Sequence, residues 1–148
     1  MNNRLQTYRE VDTLGRSQVD LILQVYDGAI ASFITAKKSY ENKDQNGGYE
    51  ELERAKRFLI HLYTTLDLEQ GGQVADNLGR LYAYMINQTN VVEASKDIQG
   101  IDSNLTILRN LRQGWSDLKA QSASMAAERP AIDETPRLPM DAQVNTSA

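Results

Sequence analysis

The placement of proline constrains this chain more than any other feature of its sequence. All three prolines, Pro130, Pro136 and Pro139, lie in the last 19 residues, and positions 1–129 contain none. A proline inside a helix costs about 3 kcal/mol, because it lacks an N–H donor and its ring clashes with the preceding turn. The body of the chain can therefore be almost wholly helical. Residues 127–148, which also lack apolar periodicity, are predicted to form a flexible, disordered tail.

Glycine pairs and capping residues divide the body, residues 1–126, into four long predicted helices. Ser17 and Asp20 have the form of a capping box that opens the first long helix, and residues 4–11 ahead of it are expected to form a short separate helical arm. Gly71-Gly72 is expected to end the second helix, and Asp97 to cap the fourth. The four predicted helices cover residues 17–43, 49–70, 73–93 and 97–125.

Apolar residues recur with the 3.6-residue period of a helix in each segment. No stretch alternates with period two, so a sheet is not expected. Four helices joined by short loops are expected to pack as an all-α, antiparallel up-down four-helix bundle. The core predicted for the last three helices is Leu52, Ala55, Leu59, Leu62 and Leu66, then Val74, Leu78, Leu81, Tyr82, Met85 and Ile86, then Ile101, Leu105, Leu108, Leu111, Trp115 and Leu118.

Composition excludes several functional classes. The chain has no cysteine, and therefore no disulfide framework, thiolate metal site or cysteine nucleophile. The mean hydropathy is −0.53, and neither a long apolar run nor a signal-peptide h-region is apparent, which predicts a cytoplasmic protein without membrane insertion. Net charge is −4, with both signs dispersed along the chain, so nucleic-acid binding is not expected.

Catalytic and metal-binding groups are also scarce. His61 is the only histidine, and a Ser-His-Asp triad could be built only around it; a surface or boundary role is the simpler interpretation. A di-metal bundle needs Glu-x-x-His pairs that point into the core, and that motif does not occur. We therefore expect no enzymatic activity, no bound metal and no cofactor.

The first long helix is apolar over an unusually wide arc. Its two neighbouring apolar stripes together cover roughly 220° of the helix, whereas one core-facing stripe needs about 100° or somewhat more. This width indicates either packing against two neighbouring helices or apolar surface left for a partner. The first stripe comprises Val19, Ile22, Leu23, Tyr26, Ile30, Phe33 and Tyr40, and the second comprises Leu21, Val25, Ala29 and Ala36.

Gly28 lies at the outer edge of the second stripe. A glycine inside a helix costs about 1 kcal/mol relative to alanine, but it allows another element to approach the backbone closely. Two interpretations remain open on the residues alone. Gly28 serves tight packing within the bundle, or it belongs to a groove that receives a helix from a partner.

Four ordered blocks of sequence carry a family signature. They comprise Tyr8 with residues 11–13 and 21–30, then residues 66–78, then 81–85, and finally 108–115. In this order, over most of residues 8–118, they resemble the flagellin chaperones called FliS. The resemblance implies a cytoplasmic bundle that binds the C-terminal segment of flagellin, prevents its premature polymerisation and keeps it competent for flagellar type III secretion. The export gate and assembly regulators are candidates for further partners.

The resemblance also implies a set of partner-binding residues. Tyr8 is expected to belong to an N-terminal arm that covers an apolar groove until flagellin displaces it. Tyr26, Leu81 and Met85 lie on predicted core faces, so packing is an equally good interpretation for them, and Asp27 can be simply a solvated charge. The residues carried over are Tyr8, Tyr26, Asp27, Gly28, Asn77, Leu81, Tyr82 and Met85, to which the wide arc of the first helix adds Leu21, Val25 and Ala29.

An alternative function follows from the same wide arc. The apolar surface of the first helix would then serve self-association, in a structural or adaptor protein of flagellar assembly. A chaperone is instead expected to be a monomer or weak homodimer when free.

Overall fold

The structure is a computed structural model, which describes the backbone of residues 2–128 and the side chains of residues 18–125. The described residues contain four α-helices and no strand, so the all-α prediction is confirmed. The helices are α1 (Asn2–Glu41), α2 (Gln45–Thr64), α3 (Leu68–Ser95) and α4 (Gln99–Glu128).

The contact pattern divides the chain into two compact units, Met1–Gly114 and Trp115–Ala148. The first unit contains α1, α2, α3 and the first half of α4, and all helix–helix contacts described below lie within it. In the second unit Trp115 is half-buried and Met125 is exposed. The tail predicted from residue 127 lies outside the described residues except for 127 and 128, which end α4.

Neighbouring helices in the first unit run antiparallel. In each contact between neighbours the residue number rises on one helix as it falls on the other, which is the pattern of an up-down bundle. Tyr26 of α1 and Tyr82 of α3 meet across the diagonal. The neighbouring pairs are Gly28–Phe58 and Tyr40–Gly48 for α1 and α2, Lys56–Glu93 and Tyr63–Gly79 for α2 and α3, Thr89–Asn104 and Val92–Gly100 for α3 and α4, and Asp27–Arg112 and Lys37–Asp102 for α1 and α4.

The N-terminal arm is continuous with α1 rather than a separate helix, and the helix start predicted at Ser17 is wrong. α1 runs without interruption from Asn2 to Glu41. A capping box offers acceptors for a helix start but does not block propagation, and no proline stands in this segment. The arm and the predicted first helix therefore form one element of 40 residues.

Aspartate caps, and not glycine pairs, set the boundaries of α2 and α3. The Asp44 carboxylate accepts from the Gly47 N–H at 2.9 Å, so α2 begins at Gln45 instead of residue 49. The Asp67 carboxylate accepts from the Gln70 N–H at 3.0 Å, so α2 ends before it and α3 begins at Leu68. The predicted helix end at the second glycine pair is wrong: Gly72, with φ 55° and ψ −131°, forms a kink inside α3.

Asp97 confirms the remaining predicted cap. Its carboxylate accepts from the Gln99 N–H at 3.0 Å, at the start of α4. α4 then continues to Glu128, three residues beyond the predicted end at Met125.

The core follows the predicted faces on α2 and α4 more closely than on α3. On α2 the predicted residues Leu52, Ala55, Leu59 and Leu62 are buried, and on α4 Ile101, Leu105 and Leu108 are buried. The prediction is wrong for Leu118, which is exposed, and for Val74, which is 68% exposed. The buried face of α3 includes small and polar residues that an apolar pattern overlooks: Ala75, Gly79, Tyr82, Met85, Thr89 and Val92.

A buried polar contact explains why Thr89 and Asn104 replace apolar residues in the core. The Asn104 amide donates to Thr89 Oγ1 and to the Met85 carbonyl, each at 3.1 Å. Thr89 Oγ1 donates to the same carbonyl at 2.8 Å. Buried polar groups are tolerated when they are hydrogen-bonded, and these bonds join α4 to α3, although Asn104 Oδ1 is buried without a partner among the described residues.

One segment corrects the expectation that the chain has no long apolar stretch. Gln18–Glu41 of α1 is long and apolar enough to cross a membrane by length and composition alone. Its side chains at Tyr26, Ala29, Phe33 and Ala36 are fully buried within the protein. Core helices of bundles commonly have this composition, because more than one neighbour covers them.

Candidate partner-binding groove

An open apolar groove runs between the C-terminal half of α2 and the outer side of α3. It consists of two adjoining depressions of about 350 and 250 Å³, which share Tyr63 and Ala83. We call this surface the α2–α3 groove. Its lining residues are Tyr63, Thr64, Leu66, Leu68, Asp76, Gly79, Arg80, Ala83, Ile86, Asn87 and Asn90.

Two small residues one helical turn apart create the floor of the groove. Gly79 and Ala83 are four residues apart on α3, so they share a face. A Cβ built on Gly79 would lie 3.4 Å from Leu66 Cδ1 and 3.7 Å from Tyr63 Cε1, which is ordinary contact distance. Tyr63 and Leu68 remain 48% and 63% exposed. Small residues below and exposed apolar side chains beside them give the shape that receives a helix.

Polar side chains stand at the two ends of the groove. At one end the Arg80 guanidinium pairs with Asp76 Oδ2 at 3.1 Å. At the other end Lys56 Nζ donates to Asn90 Oδ1 at 2.8 Å. Asp76 and Asn90 are 14 positions apart on α3, which corresponds to about 21 Å at 1.5 Å per residue.

Lys56 of α2 also forms ion pairs with two carboxylates. Glu53 is on the same helix, and Glu93 is on α3, so the second pair joins α2 to α3. The Lys56 ammonium lies 2.6 Å from Glu53 Oε2 and 3.1 Å from Glu93 Oε1. Burial acts to lower the pKa of Lys56, but the hydrogen bonds to Glu53 and Glu93 outweigh it and the pKa is raised. Burial raises the pKa of Glu93, while hydrogen bonds from Glu93 and Lys56 lower the pKa of Glu53. We call these three residues the Lys56 cluster.

The surface that the sequence predicted around Gly28 is partly filled by α2, which leaves a depression of about 230 Å³ lined by Gly28, Ala31, Ser32, Thr35, Glu51, Arg54 and Phe58. A Cβ built on Gly28 would lie 2.6 Å from Cζ of Phe58. The glycine therefore serves packing of α1 on α2, the first of its two interpretations. Beside it, Val25 is half-buried, whereas Leu21 is 58% exposed and remains accessible.

Four further predicted partner residues are buried in the bundle. The hydroxyls of Tyr26 and Tyr82 are 2.5 Å apart, and their ring centroids are 6.5 Å apart. Ala29 and Met85 are completely buried. Their burial accounts for these residue types through packing, so a role in partner contact stays an untested prediction for them.

The remaining predicted residues are scattered over the surface. Asp27 is exposed and accepts two hydrogen bonds from Arg112 of α4, at 2.5 and 3.2 Å, and this pairing raises the pKa of the guanidinium. Asn77 is exposed and accepts from Gln73 at 3.0 Å. Leu81 is half-buried. The side chain of Tyr8 lies outside the described residues.

The groove is formed by residues that the sequence analysis had not named as partner-binding. Tyr63 and Gly79 had no assigned role, Ala83 lay in the family block 81–85, and Leu66 and Ile86 had been assigned to the core. The sequence did contain a signal. Two small residues four positions apart, Gly79 and Ala83, follow the aromatic Tyr63 near the end of α2. Among the residues that the structure describes, no group of three or more histidine, aspartate or glutamate side chains could hold a metal ion.

Comparison with known proteins identifies the family. The family described as "Flagellar protein FliS" matches residues 1–122. The chain belongs to this family. The predicted resemblance is thereby confirmed.

Two FliS proteins are similar to this chain over most of its length, and a third is similar over part of it. The "Flagellar secretion chaperone FliS" of Vibrio cholerae serotype O1 is 26% identical over 136 residues, which cover 89% of this chain and 100% of the relative. The protein of the same description from Salmonella typhimurium is 29% identical over 77% of this chain and 85% of the relative. "Flagellar secretion chaperone FliSB" of Pseudomonas aeruginosa is 37% identical over 38% of this chain.

Proposed function

We propose that this protein is a cytoplasmic export chaperone that binds the C-terminal segment of flagellin. By covering that segment it would prevent premature polymerisation and keep flagellin competent for flagellar type III secretion. Membership of the FliS family and the names of the relatives, which are flagellar secretion chaperones, support this function. The proposal assigns no catalytic chemistry to the chain.

The observation that carries the proposal is the open α2–α3 groove. An apolar groove about 21 Å long matches an amphipathic helix of roughly 14 residues, which would bury its apolar side on the floor formed by Gly79 and Ala83. A segment that is unstructured alone and folds on binding loses conformational entropy, which limits its affinity. Moderate affinity suits a complex that must later release its cargo.

Calorimetry tests the function directly. Titration of the C-terminal segment of flagellin into the protein should give one-to-one binding with a negative heat-capacity change, because apolar surface is buried. Circular dichroism of the mixture should show more helix than the sum of the separate components. Absence of heat and of added helix at micromolar concentrations would reject the proposal.

A second measurement concerns the consequence of binding. Seeded polymerisation of intact flagellin should stop when the protein is added at an equal molar ratio. The control is an unrelated helical protein at the same concentration. If flagellin saturated with the protein still polymerised at an unchanged rate, the anti-polymerisation role would be rejected. The proposed binding of flagellin would not be affected by that result.

Self-association remains the alternative, and the exposed Leu21 of α1 is the observation that favours it. Light scattering separates the two functions. A chaperone should be a monomer or weak dimer when free and form a heterodimer with the flagellin segment. A stable homo-oligomer that ignores the segment would support the structural role.

A further inference from the structure

The start of α2 contains the only Asn-Gly pair in the sequence, Asn46-Gly47. Because glycine has no Cβ, its backbone nitrogen is unhindered and can attack the side-chain amide carbon of the asparagine before it. Asn46 is exposed, so water reaches its side chain. The pair therefore carries the groups that spontaneous deamidation needs.

Deamidation of such a pair proceeds in two balanced steps. The Gly47 nitrogen forms a bond to Cγ of Asn46, and the side-chain amide nitrogen leaves as ammonia with the proton that the Gly47 nitrogen gives up. The product is a cyclic succinimide, which water opens at either of its two carbonyl carbons. Opening at the backbone carbonyl gives isoaspartate, in which the main chain runs through the side-chain methylene, and opening at the other gives aspartate. No oxidant or reductant is required.

The cap of α2 explains why glycine follows Asn46. Asp44 is the N-cap, and its Oδ1 accepts a hydrogen bond from the Gly47 N–H at 2.9 Å. A Cβ built on Gly47 would overlap the Asp44 carboxylate in its capping position. Glycine is therefore the residue that fits beside this cap, and the same glycine makes the preceding asparagine labile.

The same cap also restrains the reaction. Ring closure requires rotation about the bond between Cα and C of Asn46, away from its helical value, so that the Gly47 nitrogen turns toward the side chain. The Asp44 carboxylate holds the Gly47 N–H, and the Asp44 carbonyl accepts from the Gly48 N–H at 3.0 Å. Both bonds must open before the ring closes. Helix ends open far more often than helix centres.

We propose that Asn46 is a site of spontaneous deamidation, and that the Asp44 cap limits its rate by holding the Gly47 nitrogen away from the Asn46 side chain. Opening of the first turn of α2 precedes ring closure. This inference is independent of the α2–α3 groove and of the proposed function.

The two products differ in their effect on the bundle. Aspartate at position 46 adds a negative charge in the first turn of α2, where the helix dipole favours it. Isoaspartate lengthens the main chain by a methylene just before Gly48. Gly48 is buried, and a Cβ there would lie 2.7 Å from the Tyr40 ring. A backbone displaced at Gly48 loses this close packing, so isoaspartate should loosen the contact between α1 and α2.

Peptide mapping by mass spectrometry measures the rate. The full-length folded protein is incubated in mildly alkaline buffer, and the gain in mass of the peptide that contains residue 46 is followed over days. Asp44→Ala should convert about fivefold faster than wild type, because loss of an N-cap raises the population of the open turn. Asp44→Ser keeps a capping oxygen and should convert at nearly the wild-type rate.

The matched control removes the corresponding cap of α3. Asp67 Oδ1 accepts from the Gln70 N–H at 3.0 Å, and Asp67→Ala leaves the cap of α2 intact. It should not change the rate at Asn46. Wild-type protein unfolded in urea gives the unrestrained rate and should convert faster than any folded form. Circular dichroism confirms that the variants fold.

Each contrary result overturns the inference in a different way. Absence of conversion in urea would show that the Asn-Gly pair is not labile. Folded wild type that converts as fast as unfolded protein would show, without any variant, that the fold does not restrain the reaction. A slower rate in Asp44→Ala would show that the carboxylate acts as a base, and an equal rate would show that the cap has no influence. Equal acceleration by Asp67→Ala would assign the effect to general loss of stability.

Discussion

Gly28 and Gly79 occupy comparable places in the middle of two helices, yet neighbouring side chains pack on them at different distances. At Gly28 the missing Cβ makes room for the ring of Phe58, which would lie 2.6 Å from it. At Gly79 the nearest side-chain atom would lie at 3.4 Å, and the space above the backbone stays open between Tyr63 and Ala83. Gly28 lets the Phe58 ring pack against α1 at the edge of a depression of about 230 Å³, whereas Gly79 has no ring packed over it and lies in the floor of the larger α2–α3 groove. The sequence alone therefore does not show whether another helix packs closely against a glycine inside a helix. The neighbouring side chains decide it.

The largest effect on stability is expected at Gly28. Gly28→Leu should lower the free energy of unfolding by about 2–3 kcal/mol, because its side chain must displace the Phe58 ring from a filled site. Denaturant unfolding measures the loss. Gly114→Leu is the matched control, since a Cβ at Gly114 meets nothing within 4 Å. If the double variant Gly28→Leu, Phe58→Ala is as unstable as the sum of the two single changes, the ring is not the cause.

The second-largest loss of stability is expected from a change in the Lys56 cluster, which joins α2 to α3 beside the groove. Lys56→Met should cost about 2 kcal/mol at pH 7, less than for a fully buried pair because all three groups are partly exposed. It leaves Glu53 and Glu93 close together without a cation. Lys38→Met, an exposed lysine of α1, serves as control.

The pH dependence of this effect has a definite sign. Burial raises the pKa of Glu93 above its ordinary 4.5, so acidification neutralises that carboxyl and relieves the repulsion in the variant. The deficit of Lys56→Met relative to wild type should therefore shrink as pH falls toward 4. In the wild type the pKa of Lys56 is raised from 10.5, so its contribution is present at neutral pH and is lost only in strong alkali. A deficit that grows on acidification would contradict the assigned contacts.

At Gly79 a smaller change in the free energy of unfolding is expected, in the stabilising direction. Gly79→Ala should stabilise the protein by about 0.5–1 kcal/mol, because alanine is the better helix former and its Cβ fits at contact distance. It should weaken binding of the flagellin segment a few-fold by filling part of the floor. Gly114→Ala should give the same gain in stability with unchanged binding. Equal affinities for the two variants would mean that the partner does not reach Gly79.

The smallest effect is expected on the side of α1 that faces α4. Asp27→Asn should cost about 0.5 kcal/mol or less, because Asp27 and Arg112 are 54% and 38% exposed and water screens the pair. The difference from wild type should disappear in 1 M salt. A loss above 1 kcal/mol that persists in salt would show that the pair does more than an exposed ion pair.

Sequence patterns predicted the bundle well and the groove poorly, for a physical reason. Helix number and the buried stripes of α2 and α4 follow from local periodicity and from the absence of proline. The α2–α3 junction was misplaced because the Asp67 cap competes with a glycine pair that only kinks the helix. Burial of Thr89 and Asn104 depends on a hydrogen bond between two helices. The groove depends on Tyr63 standing opposite Gly79, a relation between helices that no single segment displays.

The most direct test compares the groove in the structure with the surface predicted on α1. Ala83→Glu places a charge on the groove floor and Leu21→Glu places one on the exposed flank of α1, both at positions open to solvent. Calorimetric titration with the flagellin segment should show a loss of about a hundredfold or more for Ala83→Glu, since a charge would be buried in an apolar contact. Leu21→Glu should have a much smaller effect. A larger loss for Leu21→Glu than for Ala83→Glu would contradict binding in the α2–α3 groove.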